Sequence, residues 1–238
     1  MMDIAFKKLL FITCCFWLHT SLYAQVPNLR FQHITSEDGL PQNTIHGITK
    51  DRYGFMWFGT WGGLCRYDGY TFKVYHYESG NPHSINSNRI DNLLKDERGD
   101  IWVLTFRSDV LCRYNYESDN FDRIPVSGLP QKLLSQISRE NHYKRAKSAY
   151  EGYRWQIEAS SNTFVQTNLD GTEKIYRLNP SNPWALNDEY VTEIYKDDHH
   201  LLWLGTFSSG VNKADLKAKP FDYFFHDPAN ANTIADNN

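Results

Sequence analysis

Three stretches of this chain carry the same residues in the same register, and that repetition limits the fold more than any other feature. Asp51, Gly54, Trp57 and Thr60 are matched by Asp96, Gly99, Trp102 and Thr105, and again by Asp197, Trp203 and Thr206. Asp stands six residues before Trp each time, and Thr three after it. The match runs backwards to Ile45, Ile90 and Val191. It runs forwards through Gly63-Leu64-Cys65-Arg66-Tyr67, Val110-Leu111-Cys112-Arg113-Tyr114 and Gly210-Val211-Asn212-Lys213 to Phe72, Phe121 and Phe221. A fourth copy is more divergent. Gly128-Leu129-Pro130-Gln131 repeats Gly39-Leu40-Pro41-Gln42, Leu134, Ile137 and Glu140 take the places of Ile45, Ile48 and Asp51, and Trp155 is its tryptophan. That alignment makes 141–153 an insertion between the first and second segments, expected as a solvated loop or hairpin.

Each copy holds four short apolar segments. In Asp-x-x-Gly, the Asp accepts turn N–H groups and the Gly supplies a positive φ, so the first two segments form a hairpin. Segments such as Phe55-Met56-Trp57-Phe58 are apolar without alternation, as expected of strands covered on both faces. Gly59 and Gly205 suit close approach between sheets. Four-stranded units repeating every 40–50 residues or so read as blades of a β-propeller. The expected fold is all-β, with blades at about 39–78, 84–126, 128–179 and 185–226. A sandwich would explain the strand spacing but not the shared Asp–Trp–Thr register.

The ends extend this reading. Leu29–Ile34 resembles the last strand of a blade. Asp227-Pro228-Ala229-Asn230 resembles the link Asn179-Pro180-Ser181-Asn182, so a further copy begins there. The expectation is an open arc of a larger ring, with bare faces on the first and fourth blades and no inner strands for Leu29–Ile34 to complete.

Composition removes several function classes. A chain of 238 residues, 41% hydrophobic and 22% charged, is too apolar for disorder. A net charge of −3 argues against a nucleic-acid binder. Lys7 and Lys8 precede the apolar run Leu9–Leu22, which ends at Ala24, so residues 1–24 read as a secretory signal peptide. An uncleaved anchor is the alternative, though the run is short for a span. Cys65 and Cys112 then remain; equivalent places in adjacent blades are too far apart for a disulfide, so both are expected as buried thiols.

The pattern Gly39-Leu40-Pro41-Gln42-Asn43, Ile48, Asp51, Gly54, Trp57, Gly59, Thr60, Gly63, Leu64, Arg66, Tyr67, Asp68, Phe72 resembles the two-component regulator propeller repeat. Leu104, Asp109 and His200 depart from it, standing where the repeat has glycine. The resemblance implies the N-terminal periplasmic sensor region of a bacterial hybrid two-component histidine kinase, recognising an oligosaccharide or another extracellular ligand. It also implies signalling to a kinase in the same protein and a homodimer in the full-length molecule. No kinase motif lies in this chain, no catalytic residue is assigned, and neither cofactor nor metal is expected; His199-His200 sits in a hairpin turn without metal-ligand spacing. The rival class is a stand-alone propeller lyase or hydrolase, and a gene fragment without function is the third reading.

Loops after the second strand of a blade and links between blades gather on one face. Candidate ligand residues there are Trp61, Phe106, Arg107, Asp109 and Phe207 in the loops, with Asn86, Asn88, Arg89, Asn187, Glu189 and Tyr190 in the links. Aromatics stack on sugar rings while Arg, Asp and Asn bond hydroxyls.

Overall fold

The computed structural model describes residues 29–217 apart from 130, 135–146, 151–152, 159 and 162. The expected signal segment 1–24, the strand beginning at Phe221 and the copy beginning near Asp227 lie outside these residues.

The blades are four antiparallel sheets of four strands. Blade I is β2 (Ile45–Lys50), β3 (Met56–Thr60), β4 (Leu64–Tyr67) and β5 (Phe72–Tyr75). Blade II is β6 (Ile90–Lys95), β7 (Ile101–Thr105), β8 (Val110–Asn115) and β9 (Asn120–Pro125). Blade III is β10 (Lys147–Tyr150), β11 (Tyr153–Glu158), β12 (Thr163–Thr167) and β13 (Glu173–Tyr176). Blade IV is β14 (Val191–Lys196), β15 (Leu201–Thr206) and β16 (Val211–Asp215), completed by β1 (Gln32–Ile34). Trp57, Trp102, Trp155 and Trp203 all lie on second strands and are buried.

The repeat's chemistry is visible at each hairpin. Asp51 Oδ1 accepts the N–H groups of Tyr53 and Phe55, and Oδ2 accepts the indole N–H of Trp57 at 2.8 Å. Asp96 does the same for Arg98, Asp100 and Trp102, and Asp197 for His199, Leu201 and Trp203. The turn residues Gly54 and Gly99 have φ of 94° and 80°, and His200 holds the same place at 65°. Blade III lacks the Asp; there Trp155 donates to Gln166 Oε1 at 3.0 Å, and the Tyr176 hydroxyl donates to the same oxygen.

Two expectations are corrected. The repeat alignment puts the insertion between the first and second strands of blade III, but β10 (Lys147–Tyr150) is that first strand and pairs with β11, Tyr150 opposite Tyr153. Residues 131–134 are helical, so Leu134 does not take the place of Ile45. Local pairing of Lys147–Tyr150 with Tyr153–Gln156 closes a hairpin and outweighs the resemblance of Gly128–Gln131 to Gly39–Gln42. The first strand of blade III therefore begins at Lys147.

The second correction concerns Leu29–Ile34. Its strand does find inner strands, pairing Gln32, His33 and Ile34 with Lys213, Asn212 and Val211. Blades I and IV consequently face each other instead of presenting bare faces. Ile45, Phe58, Trp203 and Val211 share one core there, and Thr192 donates its hydroxyl to Ile45 O at 2.7 Å. The approach is close enough that a Cβ on Gly205 would lie 2.7 Å from Ile45 Cγ2, and one on Gly59 2.6 Å from Ile90 Cγ2. Further cores join blade I to II and blade III to IV. The blades run III, IV, I, II around the axis and form an open arc. Among the described residues no apolar core joins blade II to blade III. Leu129 and Leu133 instead cover the outer face of blade II, over Leu94, Trp102 and Leu111. Leu104, standing where the repeat has Gly59 and Gly205, packs into that cover.

Candidate ligand-binding face

The inner strands of blades I, II and IV each begin with a β-bulge. Pairing skips from Ile45 to Gly47, from Ile90 to Asn92 and from Val191 to Glu193. The extra residues are His46, Asp91 and Thr192, at equivalent places on the end of the axis where the second-strand loops emerge. A bulge leaves its residue outside the ladder and re-aims its side chain. Sequence reasoning missed these three; the signal was present as one polar residue directly after the first apolar residue of each copy.

Trp61 lies over His46, with ring centroids 5.0 Å apart and planes within 11°. On its edge stands Phe207 at 5.5 Å, followed by Tyr190 at 5.4 Å from Phe207. The Arg89 guanidinium carbon is 4.3 Å from the centroid of Trp61 and 3.8 Å from that of Phe106, whose ring also has Arg107 at 5.0 Å. Backbone bonds hold the outer members in place: Phe106 N–H donates to Arg89 O and Phe207 N–H to Tyr190 O, both at 3.0 Å. Tyr190, Phe207, Trp61, Arg89 and Phe106 thus form one path across blades IV, I and II. Tyr190, Phe106 and Phe207 are exposed, and Trp61 and Arg89 half-buried.

The remaining expected residues are placed differently. Asn86 is spent on blade II, accepting from Thr105 and Cys112 and donating to Ser108. Asn88 accepts the Tyr77 N–H, and Asn187 is tied to Asn212 and Ser209. Asp109 and Glu189 are exposed. Asn187 nevertheless borders a polar cavity of about 310 Å³ between blades IV and I, lined also by Thr35, Ser36, Glu37, Asn43, Ser208 and Ser209.

Three polar atoms in the cluster are buried without a hydrogen-bond partner: His46 Nε2, Trp61 Nε1 and Arg89 Nε. Each such atom costs about 1–3 kcal/mol. Burial, reinforced by Arg89, pushes the His46 imidazole down from its ordinary pKa, which keeps it neutral at pH 7. Burial pushes the Asp91 carboxyl up, and Arg89, 3.9 Å away, pulls it the other way. Cys65 and Cys112 are buried free thiols, with Cys65 pushed up to about 12 by burial. Among the described residues no helix is long and apolar enough to cross a membrane.

Comparison with known proteins places this geometry. The family model of the two component regulator propeller matches residues 39–62. A curated protein named histidine kinase P4, from Formosa agariphila, is 40% identical over 70 residues, which are 29% of this chain and 5% of that protein. Among solved structures, the extracellular domain of a hybrid two component system from B. thetaiotaomicron aligns with a TM-score of 0.51 at 16% identity, covering 78% of this chain and 42% of that one. A second extracellular domain of that type, from the same organism, covers 82% of this chain and 41% of its own, with a TM-score of 0.38 at 15% identity. The chain therefore spans less than half of each of these relatives. Residues 39–62 are a two component regulator propeller repeat, set in a chain that shares its β-propeller fold with the extracellular domain of a hybrid two-component system.

Proposed function

We propose that this chain is the ligand-sensing part of an exported two-component sensor, binding an oligosaccharide at the axis end marked by His46, Trp61 and Arg89. The observation that carries the reading is the path Tyr190–Phe207–Trp61–Arg89–Phe106, which crosses three blades on one face. Aromatic faces in a row suit stacking against successive sugar rings. The hydroxyls, amides and carboxylate of the adjoining cavity suit sugar hydroxyls. The unpaired Trp61 and Arg89 N–H groups gain from an incoming acceptor. A ligand touching blades I, II and IV together would fix their relative positions, and that is a change a histidine kinase in the same protein could read. On this reading the molecule is regulatory, works in the periplasm, and dimerises through the complete sensor.

The test is isothermal titration of the exported chain with a panel of plant and algal oligosaccharides, alongside Trp61→Ala and Glu189→Ala. The expected result is saturable binding to one member of the panel, weakened at least tenfold by Trp61→Ala and unchanged by Glu189→Ala. Binding that is indifferent to Trp61→Ala removes this face as the site.

A further inference from the structure

The edge of β16 is filled by a strand from the far end of the chain, and the sequence beyond β16 repeats the pattern of that strand. In each blade one residue of the outer strand pairs with a fixed residue of the third: Tyr75 with Leu64, Ile124 with Leu111, Tyr176 with Phe164. In blade IV the pair is Ile34 with Val211. Three residues earlier stand Phe72, Phe121 and, on the β1 segment, Phe31, which is fully buried. The bonds coincide as well. Phe31 N–H donates to Trp184 O at 2.9 Å, as Phe121 N–H does to His83 O at 2.9 Å. His33 Nε2 meets Ala185 O at 2.8 Å, where Arg123 Nε donates to Ser84 O at 3.0 Å. The segment containing β1 therefore occupies the site of an outer strand in full register.

The chain also holds a second segment with that register. Phe221 follows Gly210 by eleven residues, as Phe121 follows Val110. Phe221 and Phe224 repeat the spacing of Phe31 and Ile34, and of Phe72 and Tyr75. The link that follows an outer strand is repeated too: Asn230 and Ile234 have the spacing of Asn81 and Ile85, and of Asn182 and Leu186. In the latter two links the Asn side chain accepts the N–H two residues on, and the apolar residue bridges back to Tyr77 or Leu178.

We propose that the edge of β16 is a docking site for residues 221–226 of this chain, which exchange there with β1. The docked segment would place Phe221 against Trp184 O and Phe224 opposite Val211, and the segment 29–34 would leave. Exchange of equivalent strands on one edge costs no ladder hydrogen bonds, because the incoming strand remakes those the outgoing one loses.

Disulfide trapping in the full chain tests this. Gln32 faces Lys213 across the edge, and Asp222 holds the position of Gln32 in the second register. Gln32→Cys with Lys213→Cys traps the strand as observed, and Asp222→Cys with Lys213→Cys traps the alternative; paired positions lie within the Cα separation a disulfide needs. The expected result is that both bonds close, and that the 213–222 bond speeds tryptic cleavage after Arg30 at least tenfold over the 213–32 bond. The proposal is overturned if the 213–222 bond fails to close where 213–32 closes. Closure of 213–222 without faster cleavage after Arg30, or failure of both bonds to close, overturns it as well.

Discussion

Trp57 donates its indole N–H to Asp51, six residues earlier, and that single bond ties the second strand of blade I to the turn that introduces it. The same Asp carboxylate accepts two backbone N–H groups of the turn, so one side chain satisfies three buried or half-buried donors. The spacing of six is fixed by this geometry. It keeps Asp at the hairpin tip and Trp in the core, whatever the residues between them.

Removing the acceptor should therefore be costly. Asp51→Ala leaves the indole N–H of fully buried Trp57 unpaired, and a loss of roughly 2–3 kcal/mol is expected. Urea unfolding followed by far-ultraviolet circular dichroism measures it. Asp68→Ala, in an exposed turn, should cost less than half as much.

Gly59→Ala and Gly205→Ala should each destabilise by about 1–3 kcal/mol, because the new methyl meets an isoleucine of the next blade at 2.6–2.7 Å. Leu104→Ala tests the converse case. It opens space under Leu129 and Leu133 rather than overpacking an interface, so it should loosen that cover, read as faster amide exchange at Leu129 and Leu133.

Asp119 is a junction between blades I and II. Lys73, Tyr75, Tyr114 and Arg66 all converge on its carboxylate. Burial works against its charge, but the bonds from Lys73, Tyr114 and Tyr75 outweigh this and bring its pKa down to about 2. An unfolded aspartate titrates near about 3.9. The unfolded chain therefore takes up the proton first as pH falls, and this carboxylate's contribution to stability is complete above about pH 4 and lost on the way to about pH 2. Asp119→Asn, which tolerates the φ of 52° at this position, should flatten the stability curve across that interval, as measured by urea midpoints at pH 5, 4, 3 and 2.

Phe31→Ala tests the closing strand. Phe31 packs edge-to-face on Phe164 and Tyr176, and its truncation should cost roughly 3–5 kcal/mol. Unfolding should be shared between blades III and IV, visible as joint loss of protection at Phe164 and Leu204.

The blades were legible in the sequence because their determinants are local. Asp, Gly and Trp within one hairpin repeat at a fixed spacing and can be aligned without knowing the fold. Blade III shows the limit of that method. Its Trp155 bonds to Gln166 on the next strand, so the Asp marker is absent, and the first strand had to be found by pairing rather than by motif. The ligand face was half legible. Trp61, Phe106 and Phe207 follow the Thr of the repeat register in their copies and do come together, whereas Asn86 and Asn187 are consumed by hydrogen bonds to strands and loops of their own blades and Asn88 by one within its link. His46, Asp91 and Thr192 were marked in the sequence only by a polar residue after the first apolar one of each copy, and it takes strand pairing to show that this residue leaves the ladder as a bulge. The partner of Leu29–Ile34 was not legible because this strand completes blade IV by pairing with residues remote in the chain, where local patterns carry no information.

That remote pairing also governs the order in which the molecule can form. His33 bonds to Ala185, 152 residues away, and the strand beside it waits for β16. The strand that emerges before any of the four blades is among the last to find its place. Blade I can fold as it emerges, but in the observed arrangement blade IV is completed by a strand made long before, across a large loop whose closure is entropically slow. Until then both the waiting strand and the bare edge of β16 are open to other chains, so the yield of folded protein should depend on concentration and on whatever chaperones guard the nascent chain.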